Sequence, residues 1–233
     1  MDRVEVVCVT MGQKDLTIAD KMHITGDAVF GNQADGYRKE TQLNAGRTLR
    51  MITTDTRGVG FNRNIALLHA AGDILLFADD DICYADGYAD GVRRAYAQHP
   101  DADMILFSLD ITQGGRVIRQ VKNRDGRLRF HRALRYGTCV CSIRRDSQRR
   151  ANIWFSTIFG AARTMPTGRT RCFCVTRFVE GYGCIRAASV WVPVPRTRPP
   201  VFTALMKSIF TIRAFCIGRH SVRLQCRCAC AFA

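Results

Sequence analysis

Three consecutive aspartates, Asp79, Asp80 and Asp81, follow one residue after the apolar run 74–77, ILLF. A short apolar run of this kind reads as a strand buried on both faces. Carboxylates crowded at the end of a buried strand repel one another, so a chain that keeps them there needs an opposing charge. A hard cation such as Mg²⁺ or Mn²⁺ takes oxygen ligands, usually one or two protein carboxylates together with substrate phosphates, and would meet that need. The alternative is an acidic loop, or a set of N-caps for a following helix.

The chain before and after this stretch alternates strand and helix patterns. Residues 4–10 (VEVVCVT), 27–32, 49–53 and 74–77 read as strands, with helices over 15–22 and 61–71, where Phe61, Ile65, Leu68 and Ala71 fall at helical spacing. A helix over 88–98, a strand over 104–111, a strand pair over 117–121 and 128–130, and a basic helix around 144–151 follow, then an apolar piece at 153–159. Such alternation predicts an α/β fold with a Rossmann-like, mostly parallel sheet flanked by helices. Ligands of these folds bind beyond the carboxyl ends of the strands, where the aspartates lie.

The turn 57–64, RGVGFNRN, places glycines ahead of a helix. Backbone N–H groups there can approach a phosphate, with Arg57 and Arg63 in reach of a diphosphate, but the pattern serves equally as a tight strand-to-helix turn. Cys139 and Cys141 form a lone C-x-C without the second pair that closed zinc sites use. The five histidines are scattered and form no nucleophile–base set.

A length of 233 residues suits one α/β domain or slightly more. The formal charge of +15 would point to nucleic acid or an anionic membrane surface, yet it is unevenly placed. Residues 161–233 hold twelve Lys or Arg and one acid, Glu180, whereas the first 160 hold 23 and 19; seven of the eleven cysteines also lie after residue 160. The chain therefore divides into an α/β unit, 1–160, and a basic, Cys-rich segment, 161–233, expected to be poorly ordered and not a true domain. With no export signal or apolar span visible, a cytoplasmic chain is expected, compatible with peripheral attachment to the inner membrane face.

The residues 62–67 (NRNIAL), 71–74 (AGDI) and 77–81 (FADDD) resemble the signature of family 2 glycosyltransferases with the GT-A fold, and the likeness covers about residues 4–160. The resemblance implies a nucleotide-sugar donor with UDP as its nucleotide part; a glycan or lipid-linked acceptor in cell-surface polysaccharide synthesis; and Mn²⁺ or Mg²⁺. By that match Asp79 and Asp81 serve the metal, Asp79 and Asp80 the donor, and Arg63 the sugar diphosphate. The same match would put Thr10, Met11 and the loop from Asn32 to Asp35 near the nucleotide base. A later G-E-D motif should supply the base that activates the acceptor, and the sequence has none. The competing readings are a basic nucleic-acid or membrane-surface binder and a metal-dependent nucleotidyltransferase.

The missing motif and the composition shift have one explanation. Read one base out of register, with the third base of each codon joined to the next two, Met206-Lys207 must encode Glu. Permitted codons let 168–176 spell GED followed by (S/T)LFLRD, and 202–217 spell YGSDEKYFHDKGVLY, both suited to such a family. A frameshift near residues 160–162 is therefore expected, with donor half retained and catalytic base lost.

Overall fold

The protein's structure, a computed structural model, describes residues 1–44, 46–113, 116–121, 125–127, 141–157 and 184–195. Its centre is β1 (Val4–Met11), buried except for its last residue. β1 pairs in parallel with β2 (Asp27–Gln33) on one side and β5 (Ile74–Asp79) on the other, and β2 pairs in parallel with β4 (Arg47–Thr54). The carboxyl ends of these four strands therefore lie along one edge of the sheet. The chain runs outward from β1 through β2 to β4, then crosses back to β5, so β1 marks the switch point where such sheets open a ligand crevice.

Antiparallel strands extend this parallel centre. β3 (Arg38–Asn44) closes one side against β4. On the other, β9 (Cys141–Arg144) is inserted between β5 and β6 (Met104–Gln113), antiparallel to both. β10 (Cys184–Pro195) runs parallel to β6, β8 (Gly126–Arg127) pairs with β10, and β7 (Arg116–Val121) pairs with β6. The full order is β3-β4-β2-β1-β5-β9-β6-β10-β8.

Alternation along β1 divides the core into two layers. Val4, Val6 and Cys8 meet the layer built from α1 (Ile18–Lys21) and α3 (Tyr88–Gln98), with Met22, Tyr88, Val92 and Tyr96 buried there. Val7 faces the layer of α2 (Val59–His69), with Ala66, Leu67, Phe77, Ile153 and Phe155. Each fully buried side chain of this size contributes roughly 1.5–3 kcal/mol from apolar burial. Glu5 also sits in β1 without solvent exposure, and its carboxylate accepts N–H bonds from Ala71 and Gly72, both at 2.6 Å, and an ion pair from Arg50. That satisfaction makes a buried charge tolerable. Gly72 is required for it, because a Cβ there would stand 2.5 Å from the Glu5 Cβ.

Most boundaries follow the sequence pattern, and the differences have local causes. β3, RKETQLN, is exposed along nearly its whole length, so it lacks the apolar alternation that betrays a strand; its charges suit an open sheet edge. α1 begins later than residue 15, because the Asp15 carboxylate accepts both the Thr17 N–H, at 3.0 Å, and its hydroxyl, at 2.6 Å. β7 pairs antiparallel with β6, and residues 128–130, the other half of the expected strand pair, lie outside the described residues. In the segment 161–233, where no sustained period is visible, the structure describes β10; the rest of that segment, like Cys139, lies outside the described residues. Among the described residues no helix is long and apolar enough to cross a membrane.

Candidate functional site

Register brings the strand ends together. Thr10 stands opposite Asn32, Asn32 opposite Thr53, and Val9 opposite Asp79. Asn32 is fully buried and uses its whole amide: Oδ1 accepts the Gln13 N–H at 3.1 Å, while Nδ2 donates to the Gln13 carbonyl at 2.9 Å and to Thr53 Oγ1 at 3.1 Å. It thereby fixes the loop after β1. Asn62 of α2 donates to the Thr10 carbonyl at 3.0 Å and ties the helix start to the same strand end.

The three aspartates have different surroundings. Asp79 is the last residue of β5 and accepts from Arg63 Nη2 at 2.5 Å. Asp80 is exposed at its edge, yet accepts the Thr10 hydroxyl at 2.8 Å. Asp81 is exposed in the turn, which the Ile82 N–H closes onto the Asp79 carbonyl at 3.3 Å. None caps the next helix, since α3 begins at Tyr88 and its N-cap is Gly87, which is left-handed at φ 70°. The N-cap alternative is thereby removed. Burial, with Asp79 and then Asp80 adding to it, pushes the Cys8 thiol beneath them well above its ordinary range.

Arg63 is the buried cation of the site, its side chain 3% exposed against 44% for Asp79. Its guanidinium lies 5.1 Å from the centroid of the Phe155 ring, and that ring meets Phe77 edge-on, with centroids 5.2 Å apart at 86°. Asn64, one residue on, accepts the Phe155 N–H and donates to the Phe155 carbonyl, both at 2.9 Å. Asn62 belongs to the stretch 62–67 singled out in the sequence, whereas Phe155 and Gln33 carry no sequence signal of this role. Phe155 lies 91 residues from Asn64, and only the folded chain joins them.

The glycine turn serves the backbone. Gly58, at φ 116°, occupies a conformation that side chains rarely adopt, and its N–H is donated to Gln33 Oε1 at 2.9 Å. Gly60 lets the chain at Ser156 approach, since a Cβ there would stand 2.6 Å from the Ser156 carbonyl oxygen. Arg57 and Asp35 are exposed and pair with each other at 3.8 Å. Thr10, Asn32, Arg63, Asp79 and Asp80 are thus brought together, with Asp81 at the outer lip.

Among the described residues no three His, Cys, Asp or Glu side chains converge as a ready metal cluster. Asp79 and Asp81 nonetheless offer hard carboxylate oxygens at an open strand end. That donor set fits Mg²⁺ or Mn²⁺ only when phosphate oxygens complete the coordination.

No curated protein matches the sequence. Solved structures with a similar fold include S. aureus TarS 1–349 in complex with UDP-GlcNAc, 14% identical with a TM-score of 0.64, over 85% of this chain and 60% of that one. The same protein in complex with UDP gives 15% identity and a TM-score of 0.64, over 83% and 60%. Longer S. aureus TarS gives 14% and 0.61, over 84% and 37%. The chain thus spans no more than 60% of the length of these structures. The family model for glycosyl transferase family 2 matches residues 32–178, which include the glycine turn, Arg63 and all three aspartates. By that match, and on a GT-A-like sheet, the chain belongs to glycosyl transferase family 2.

Proposed function

We propose that the strand-end crevice binds a UDP-sugar and that the protein is built to transfer its sugar to a hydroxyl of a glycan or lipid-linked acceptor. The observation that carries this reading is the pairing of buried Arg63 with Asp79 at the carboxyl end of β5. A fixed cation beside open carboxylates suits a diphosphate accompanied by a divalent metal. TarS, similar in fold, has been crystallised with UDP and UDP-GlcNAc, which supports a uridine donor.

Asp79 and Asp81 would hold the Mn²⁺ or Mg²⁺, which supplies charge neutralisation for the departing nucleoside diphosphate. Arg63 contributes a second positive charge on the diphosphate side. The loop pinned by Asn32 shapes the base end of the crevice, and Thr10 keeps Asp80 turned toward β1. Proton removal from the acceptor needs a further carboxylate, and Glu180 is the only acid after residue 160. The donor half is therefore proposed to bind, with transfer impaired.

The segment 161–233 is proposed to be an out-of-frame continuation of a longer family member. Its Arg and Cys content and the alternate-frame GED support this, while the family match runs past residue 161 and stops at 178. β10 is compatible with it, because an open sheet edge accepts strands of many sequences. Sequencing the gene across codons 155–175 decides the matter; an unbroken frame there overturns it.

Calorimetry with UDP, with and without Mn²⁺, tests the function. Metal-dependent binding that Asp81→Ala abolishes is the expected result. Salt-sensitive nucleic-acid binding that survives deletion of residues 161–233, with no response to UDP, would overturn it. Release of pyrophosphate in place of UDP would identify a nucleotidyltransferase.

A further inference from the structure

We propose that Phe155 is a positioning residue for the donor site: its ring holds the Arg63 guanidinium against Asp79, and Asn64 locks that ring in place. The inference deepens the donor-site reading and rests on it.

An arginine side chain has several rotatable bonds, and ordering them on each encounter with a diphosphate weakens binding. Arg63 is ordered beforehand. One Nη is bonded to Asp79 at 2.5 Å, and the guanidinium lies 5.1 Å from the Phe155 centroid. Its Nε is buried without a hydrogen-bond partner, so packing against the ring replaces a second polar anchor.

The ring is itself placed by two elements of the site. Edge-on contact with Phe77 refers it to β5, two residues before Asp79. The two Asn64 bonds refer its backbone to α2, one residue after Arg63. Gly60 permits the close approach of the same segment at Ser156. One aromatic ring thus sets the position of the cation relative to its carboxylate, from a segment that touches neither the strand ends nor the aspartates in sequence.

Two measurements on the full chain test this. With arginine labelled by ¹⁵N, and the Arg63 signal assigned by its loss in Arg63→Lys, the free protein should show slow guanidinium rotation and a ring-current shift at Nε–H. Phe155→Leu should abolish both, and Asn64→Ala should loosen them with the ring still present. Fast rotation in the unsubstituted protein, or an Arg63 signal indifferent to both substitutions, overturns the proposal. The second measurement is UDP titration in Mn²⁺: Phe155→Leu should weaken binding about tenfold, between the scales of an exposed and a fully desolvated cation–π contact, and should have no effect in an Arg63→Met background. An equal loss in that background means a merely structural residue and overturns the proposal. If the unsubstituted chain binds no UDP, the donor-site reading fails, and the rotation measurement alone decides whether Phe155 positions Arg63.

Discussion

Thr10, at the end of β1, donates its hydroxyl to Asp80 at 2.8 Å across the start of the crevice. The middle aspartate is thereby tethered to the end of β1. Thr10→Val keeps the shape and removes the bond. It should cost about 1 kcal/mol in urea unfolding, since Asp80 can recover part of the loss from water. UDP affinity in Mn²⁺ should also fall, and unchanged stability and affinity together would contradict the role given to Thr10.

Asp79 and Asp81 should respond differently to the same change. Asp79→Ala strands a buried guanidinium and should destabilise the fold by about 2–3 kcal/mol. Asp81 is exposed, so Asp81→Ala should alter stability by no more than about 0.5 kcal/mol. Both should lose metal-dependent UDP binding. Chemical denaturation beside calorimetry separates the two effects, and equal stability losses would mean that Asp81 is structural.

Gly60→Ala places a methyl group against the Ser156 carbonyl, backbone that cannot swing aside. The expected cost is about 2 kcal/mol, or a fall of roughly 4–8 °C in Tm for a chain of this size. Thermal unfolding measures it. A shift under about 1 °C would show that the segment around Ser156 yields easily.

Cys8 links stability to alkaline pH. Burial raises its folded thiol above the ordinary value of 9.0, so below that value folded and unfolded chains both keep the proton and the contribution is fully present. As pH rises past the ordinary value the unfolded chain ionises first, and this stability is lost progressively toward the folded value. Cys8→Ala should flatten the decline in stability above about pH 9. At pH 8 an alkylating reagent should modify half-buried Cys83 well before Cys8 or Cys141, as mass spectrometry of the native protein would show.

The parallel centre was legible because its strands are buried on both faces and so read as apolar runs; β1 and β5 carry that signal nearly unbroken. The helix α3 shows its apolar face at helical spacing and matches 88–98 at both ends. β3 was not legible, since an edge strand facing water has no apolar side to display. In the site, the aspartates and Arg63 stand close together in sequence and are found by pattern. Phe155 and Gln33 act through contacts between distant segments, and neither residue type announces a polar site. Asn32 was visible as a residue beside the crevice, but its burial beneath the loop after β1 depends on the register of three strands.

The insertion of β9 between β5 and β6 has a consequence for synthesis. β5 leaves the ribosome with one side already matched to β1, while its other side waits for residues 141–144. Until they arrive, two neighbouring strands present unpaired backbone, the arrangement that invites pairing with other chains. A product terminated before residue 141 would carry the complete aspartate signature and still expose β5, so it should accumulate as aggregate, whereas one extending through residue 157 closes that gap and gains the Asn64–Phe155 lock.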